Sequence, residues 1–298
     1  MTSTESSWPA LPLTAWADTY ATLHMWTQIV GKIRLALAPP VNHWWHTTLY
    51  VTARGLTTSP IPARARSFEI RFDFIDHQLL IEASDGERST IPLAPMTVQD
   101  FYARVMAAFG ELGIDVHIWA MPSEIPSPIR FDEDRQHGAY DALWAHRWWQ
   151  VMRQTDGVLQ EFRGRFIGKC SPVHFFWGGF DLAVTRFNGR RAPERPDPIN
   201  REAYSHEVIS AGFWPGSGSV TDAAFYAYAA PEPPGFKTAS IRPAAAAYKA
   251  DMGLFILMYD DVRTAASPHD TLMDFLQSSY EAGANLAKWN RAELERTA

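Results

Sequence analysis

Apolar and polar residues alternate strictly where Phe68, Ile70, Phe72 and Phe74 interleave with Glu69, Arg71 and Asp73, the period of a half-buried strand. The chain turns near Asp76-His77 and returns through Leu79 and Ile81, so this stretch predicts a hairpin. On either side the period becomes helical. Trp16, Leu23, Val30, Ile33 and Leu37 share a face of a helix from about Thr14 to Leu37, which Pro39-Pro40 stops. Val98, Phe101, Val105, Ala108, Phe109 and Leu112 mark a second helix, opened by Thr97 with Asp100 and closed by Gly113.

The same order then recurs. A helix is predicted from about Tyr140 to Phe166, followed by strands over Val173–Trp177, Phe180–Phe187, His206–Trp214, Ala224–Ala229 and Leu254–Tyr259. A last amphipathic helix carries Leu272, Phe275, Leu276, Tyr280 and Leu286. The stretches Asn188–Ala203 and Pro231–Pro243 read as surface loops. The expected fold is α+β: two sequence-related halves, each helix–strands–helix, around a mostly antiparallel sheet with a pseudo-twofold. The halves are residues 1–120 and 139–298, joined by a Pro-rich linker over residues 121–138, or else one compact domain sharing a core.

The repeat extends to short motifs. Gly31-Lys32 leads to Pro40-Val41-Asn42-His43 and then to Leu49-Tyr50-Val51-Thr52; Gly168-Lys169 leads to Pro172-Val173-His174 and then to Leu182-Ala183-Val184-Thr185. Halves that pack about a pseudo-twofold bring equivalent positions together, which makes His43 and His174 neighbours across the shared interface.

Composition narrows the functional classes. Hydrophobic residues make up 46% and charged residues 20% of 298 residues, as in ordinary globular proteins. A net charge of −6 without a basic stripe argues against nucleic acid and against a polybasic membrane surface. One cysteine, Cys170, excludes an internal disulfide framework; the polar Met1–Pro9 stretch does not read as a signal peptide, and apolar runs such as Leu254–Met258 are far too short to span a bilayer. A soluble cytoplasmic protein is the expectation.

The runs Gln28-Ile29-Val30-Gly31-Lys32-Ile33-Arg34-Leu35-Ala36-Leu37, Asn42-His43-Trp44-Trp45-His46, Ser171-Pro172-Val173-His174-Phe175-Phe176-Trp177-Gly178 and Tyr204-Ser205-His206-Glu207-Val208-Ile209-Ser210 carry a resemblance. Over nearly its whole length the chain resembles an uncharacterised family of bacterial proteins of unknown function, which implies no activity. Cys170 departs from that pattern, where proline precedes Ser-Pro-Val-His, and this argues against a cysteine nucleophile.

The candidate chemistry rests on histidines near strand starts. His43 and His46 share one face only if a turn forms there, which Pro39-Pro40 favours, with Trp44 and Trp45 as water-excluding walls. Adding His174 and His206 gives a nitrogen-rich set suited to a transition metal such as Zn, Fe, Cu or Mn, with Glu207 as a further ligand or general base beside His206. The competing reading is that each aromatic-flanked histidine is a hydrogen-bonded packing residue.

His24 and Gln28 lie four apart on a helical face and line a pocket or pack in the core, while Lys32 and Lys169 are candidate anion anchors. Trp44, Trp45, Trp177 and Trp214 complete the candidate substrate-binding set. The Gly212–Gly218 run precedes no helix, so no nucleotide cofactor is expected. Together these features read as a metal-dependent enzyme acting on a small, partly apolar organic molecule between the halves. The alternative is a non-catalytic binding protein for an aromatic or heterocyclic small molecule.

Overall fold

The computed structural model describes residues 7–296. The first half of the chain runs α1 (Ala17–Leu37), β1 (Tyr50–Val51), β2 (Gly55–Thr57), β3 (Ile61–Ala63), β4 (Arg66–Asp73), β5 (Gln78–Ala83), β6 (Arg88–Pro92) and α2 (Val98–Glu111). The second runs α3 (Ala142–Gly164), β7 (His174–Phe176), β8 (Asp181–Arg191), α4 (Pro198–Ala203), β9 (His206–Trp214), β10 (Ala224–Ala230), β11 (Ala247–Lys249), β12 (Leu254–Met258), α5 (Tyr259–Arg263), α6 (Pro268–Leu286) and α7 (Arg291–Leu294). The fold is α+β, with helix, strands and helix in each half. One six-stranded antiparallel sheet has the order β1-β2-β4-β5-β6 with β3 on β4; the other has the order β11-β12-β10-β9-β8-β7.

Two compact units emerge. The N-terminal unit comprises Thr14–Arg153 and Phe175–Phe180; the C-terminal unit comprises Gln154–His174 and the described residues up to Leu13 and from Asp181 onward. Residues 121–138, read above as a linker, belong to the N-terminal unit, where Ala120 accepts from Phe131 and Asp134 from Gln99 through their backbones.

In the N-terminal unit the alternation of β4 sets Phe68, Ile70 and Phe72 on one face, opposite Ala83, Ile81 and Leu79 of β5. Phe68 meets Phe109 of α2 edge-on at 5.1 Å. The hairpin turn is closed by Asp73, whose Oδ1 accepts from the backbone N–H groups of Ile75 and Asp76, and His77 takes a left-handed φ of 50°. Helix α2 is capped by the Thr97 side chain, which accepts from Asp100 N, and ends at Gly113 with φ 63°. Trp26 of α1 stacks on Phe101 at 4.6 Å and on Tyr140 at 5.5 Å, joining α1 to α2.

In the C-terminal unit β9 pairs with β10 from Trp214↔Ala224 to Val208↔Ala230, and α6, which buries Leu272, Phe275, Leu276 and Tyr280, packs on these two strands. The stretch from Asn188 to Ala203 is more ordered than the loop expected. Strand β8 continues to Arg191, and α4 forms because Asp197 caps it by accepting from Asn200 N while Pro198 supplies the fixed φ of a first turn.

The paired Gly-Lys motifs also differ from expectation. Gly31-Lys32 lies inside α1, whereas Gly168-Lys169 follows the end of α3 in non-helical chain. Each glycine answers a local steric demand. A Cβ on Gly31 would lie 2.1 Å from Cδ1 of Trp177, and one on Gly168 would lie 2.6 Å from Leu294.

Candidate functional site

The densest set of predicted site residues lies along α1 in the N-terminal unit. His24, Gln28 and Lys32, each one turn apart, project to one side of the helix. Gln28, fully buried, grips the backbone of Ser123: its Oε1 accepts from Ser123 N at 2.7 Å and its Nε2 donates to Ser123 O at 2.9 Å. This two-way bond pins the Pro-rich segment against the helix.

Behind Gln28, His24 Nε2 lies 2.8 Å from Gly178 O and 3.0 Å from Trp177 O. Nε2 also lies 3.2 Å from Gln28 Nε2; the two nearer carbonyls call for a proton on Nε2, and the Gln28 amide donates to Ser123 O instead. Burial lowers the His24 pKa to about 4, outweighing both carbonyl bonds, so the ring is neutral at pH 7. It positions the chain at Trp177-Gly178.

Lys32 is the chemical centre of the cluster. It is only 5% exposed, and its Nζ donates to Ser123 Oγ at 3.1 Å. The ammonium sits 5.2 Å from the centre of the Trp119 ring and 5.5 Å from that of Trp177. Trp177 is fixed by its Nε1 bond to Thr47 O at 2.7 Å and by the gap that Gly31 leaves for its indole. Burial lowers the Lys32 pKa, and among the described residues the side chain enters no ion pair.

Trp119 is 69% exposed, a large apolar surface standing in water beside this buried cation. Glu124 adds a carboxylate directly over Gly178, where a Cβ would come within 2.5 Å of its Oε1. Glu124 is exposed as a residue, yet the atoms crowded around its carboxyl push its pKa up. The arrangement holds a positive charge between two indole faces, with a hydroxyl at one side.

Trp119, Ser123 and Glu124 escaped the sequence reading. One signal was present: Ile114, Val116 and Ala120 are buried while Asp115, His117 and Trp119 are exposed, so a tryptophan stands in the polar phase of an alternating segment.

The candidate metal ligands are distributed differently. His43 and His46 lie in the N-terminal unit, where Asn42–Trp44 forms a short 3-10 turn whose backbone is non-helical at His43. His43 and Trp44 both take left-handed φ values, 61° and 62°. Val41 N donates to His46 Nδ1 at 3.1 Å, Trp45 lies 5.2 Å from His43, and Trp44 lies 5.7 Å from His46. His174 and His206 belong to the C-terminal unit. Among the described residues, no group of three or more His, Cys, Asp or Glu side chains is arranged to hold a metal ion.

The remaining candidates lie in the C-terminal unit. His206 Nδ1 lies 3.1 Å from Ser205 Oγ, and burial with nearby Arg191 and Lys169 lowers its pKa. Glu207, next along β9, accepts from Asn188 Nδ2 at 2.7 Å, Arg190 at 2.7 Å and Trp289 Nε1 at 3.3 Å, donors that fix its orientation. As strand neighbours His206 and Glu207 point to opposite faces. Lys169 lies 5.1 Å over Phe187, and Trp214 lies 5.6 Å from Tyr226. Burial pushes the Cys170 thiol up to about 11, as in an inert thiol.

No helix among the described residues is long and apolar enough to cross a membrane. No curated protein and no solved structure matches the chain. A family model matches residues 8–296, almost the whole chain, and the protein therefore belongs to DUF5996, a family of unknown function.

Proposed function

We propose that this protein binds a small organic anion with a flat, partly apolar body, seated at Lys32 between Trp119 and Trp177. The observation that carries this reading is a nearly buried lysine whose ammonium has a single hydroxyl partner and no ion pair among the described residues. Taking an ammonium out of water costs several kcal/mol, whereas cation–π contacts return about 1–2 kcal/mol. An arriving carboxylate or phosphate supplies the missing partner. Trp119 offers the flat face on which an aromatic or heterocyclic body stacks, and Trp177 forms the rigid wall.

The test uses 1-naphthoate and its uncharged counterpart 1-naphthamide, followed by tryptophan fluorescence. Naphthoate should quench saturably and bind at least tenfold more tightly than naphthamide. Lys32→Met, which keeps the length of the side chain, should abolish that preference. Equal affinities of wild type for the two compounds, or no saturable binding of either, contradict the reading.

A metal-dependent enzyme acting on a molecule of the same class is the second reading. Two consecutive non-glycine residues with left-handed backbone, His43 and Trp44, favour it, because such strain concentrates at working sites. Elemental analysis of protein purified without chelator, beside His43→Ala and His46→Ala, decides between the two. A stoichiometric transition metal lost from both variants supports the enzyme; metal-free native protein leaves the binding reading alone.

A further inference from the structure

The C-terminal unit contains a cavity of its own, of about 360 Å³, at the end of β10 and the start of β12. This volume lies at the small end of ligand sites. Its polar lining consists of Arg195, Tyr204, Tyr228 and Glu232; Pro231 and Leu254 contribute to its apolar wall. The Arg195 guanidinium lies 4.0 Å from the centre of the Tyr204 ring, so one face is used in stacking while the N–H edge remains available. Among the described residues Arg195 makes no direct ion pair, and the carboxylate of Asp197, two residues on, interacts with it through space.

The Tyr204 and Tyr228 hydroxyls lie 3.0 Å apart, either one the donor, and the Tyr228 hydroxyl also hydrogen-bonds Ser210. Burial, the largest cause, raises the Tyr228 pKa well above 10, so this hydroxyl keeps its proton at neutral pH. Opposite in charge to Arg195 stands Glu232, which accepts from the Tyr248 hydroxyl and retains further lone pairs. One cation with planar donors, one anion and an apolar wall in a small cavity form the complement of a zwitterion. A simple carboxylate leaves Glu232 facing like charge; a simple amine does the same to Arg195.

We infer that this cavity binds a free α-amino acid with an apolar side chain, its carboxylate at Arg195 and the tyrosine hydroxyls and its ammonium at Glu232. The side chain lies against Pro231 and Leu254. Exposed Met252, at 41%, adds a flexible apolar surface to the same cavity, suited to more than one side-chain shape.

Titration calorimetry of the full chain with L-leucine, L-methionine and L-phenylalanine tests this. At least one should bind saturably, and its N-acetyl derivative, which lacks the ammonium, should bind at least tenfold more weakly. Arg195→Gln and Glu232→Gln should each weaken the free amino acid at least tenfold with an unchanged circular dichroism spectrum. Lys32→Met should bind it like wild type, which separates this site from the one in the N-terminal unit. The inference is overturned if none of the three binds, if the acetylated form binds equally well, or if both Gln variants retain wild-type affinity.

Discussion

Each unit holds a buried cation on aromatic faces, and the two cations are built to opposite ends. Arg186, in the C-terminal unit, is 1% exposed, with its guanidinium 3.4 Å from the Phe162 ring centre, 4.2 Å from Tyr280 and 5.1 Å from Phe166. It donates to the Phe162 carbonyl, and although burial pushes its pKa down to about 10 it stays charged at pH 7. Its aromatic partners enclose it as they would an apolar side chain. Lys32, in the N-terminal unit, has looser aromatic contacts at 5.2 and 5.5 Å, a single hydroxyl partner among the described residues and an exposed tryptophan beside it. The contrast teaches how to separate a structural cation from a binding one: Arg186 keeps a buried Nε without a hydrogen-bond partner, yet three rings close over it and shut out a ligand, whereas Lys32 has an exposed indole beside it that a ligand can reach.

The largest expected break in this comparison comes from Arg186→Ala. It removes packing from three rings and leaves a cavity, so urea unfolding should show a loss of about 3 kcal/mol or more. A loss under about 1 kcal/mol would mean that Arg186 is not part of the core.

Two substitutions probe the frame of the Lys32 site. Gly31→Ala places a Cβ 2.1 Å from the Trp177 indole, so it should destabilise by about 2 kcal/mol even though alanine is the better helix former. A gain in stability would contradict the packing of Trp177 on α1. His24 sets a pH dependence of similar size. Its folded pKa of about 4 lies below the 6.5 of a free imidazole, so its contribution is fully present above pH 6.5 and is lost as pH falls toward 4. Between pH 7.5 and pH 5 it should cost about 2 kcal/mol, and His24→Gln should remove that part of the slope.

The smallest stability effect belongs to Trp119→Ala. An exposed side chain should change unfolding by under about 0.5 kcal/mol while weakening 1-naphthoate at least fivefold. Unchanged affinity would move the ligand away from the exposed indole.

What the sequence made legible follows from the range of each interaction. The period-two run of β4, the Asp73-closed turn after it, the Thr97 cap and the apolar face of α6 are local, and they stand in the structure much as the pattern implies. The face shared by His24 and Gln28 was likewise readable from helical spacing, whereas Lys32, read with Lys169 as an anion anchor, joins that face in the structure. The other wall of the site was not. Gln28 and Ser123 are 95 residues apart, and the segment that carries Ser123 has the proline content of a linker, so its role depends on a contact that no local pattern encodes. The histidine set rested on aligned motifs, yet Gly31-Lys32 is helical and Gly168-Lys169 is not. Similar letters there answer different steric demands, one from Trp177 and the other from Leu294 and Phe166.

The most direct measurement takes both properties of Lys32→Met from one preparation: unfolding free energy in urea and affinity for 1-naphthoate. Replacing a buried, incompletely partnered ammonium by an apolar group of similar length should leave stability unchanged or raise it by about 1 kcal/mol. Affinity should fall at least tenfold. A loss of several kcal/mol in stability with naphthoate affinity intact would make Lys32 a structural cation like Arg186 and contradict the account.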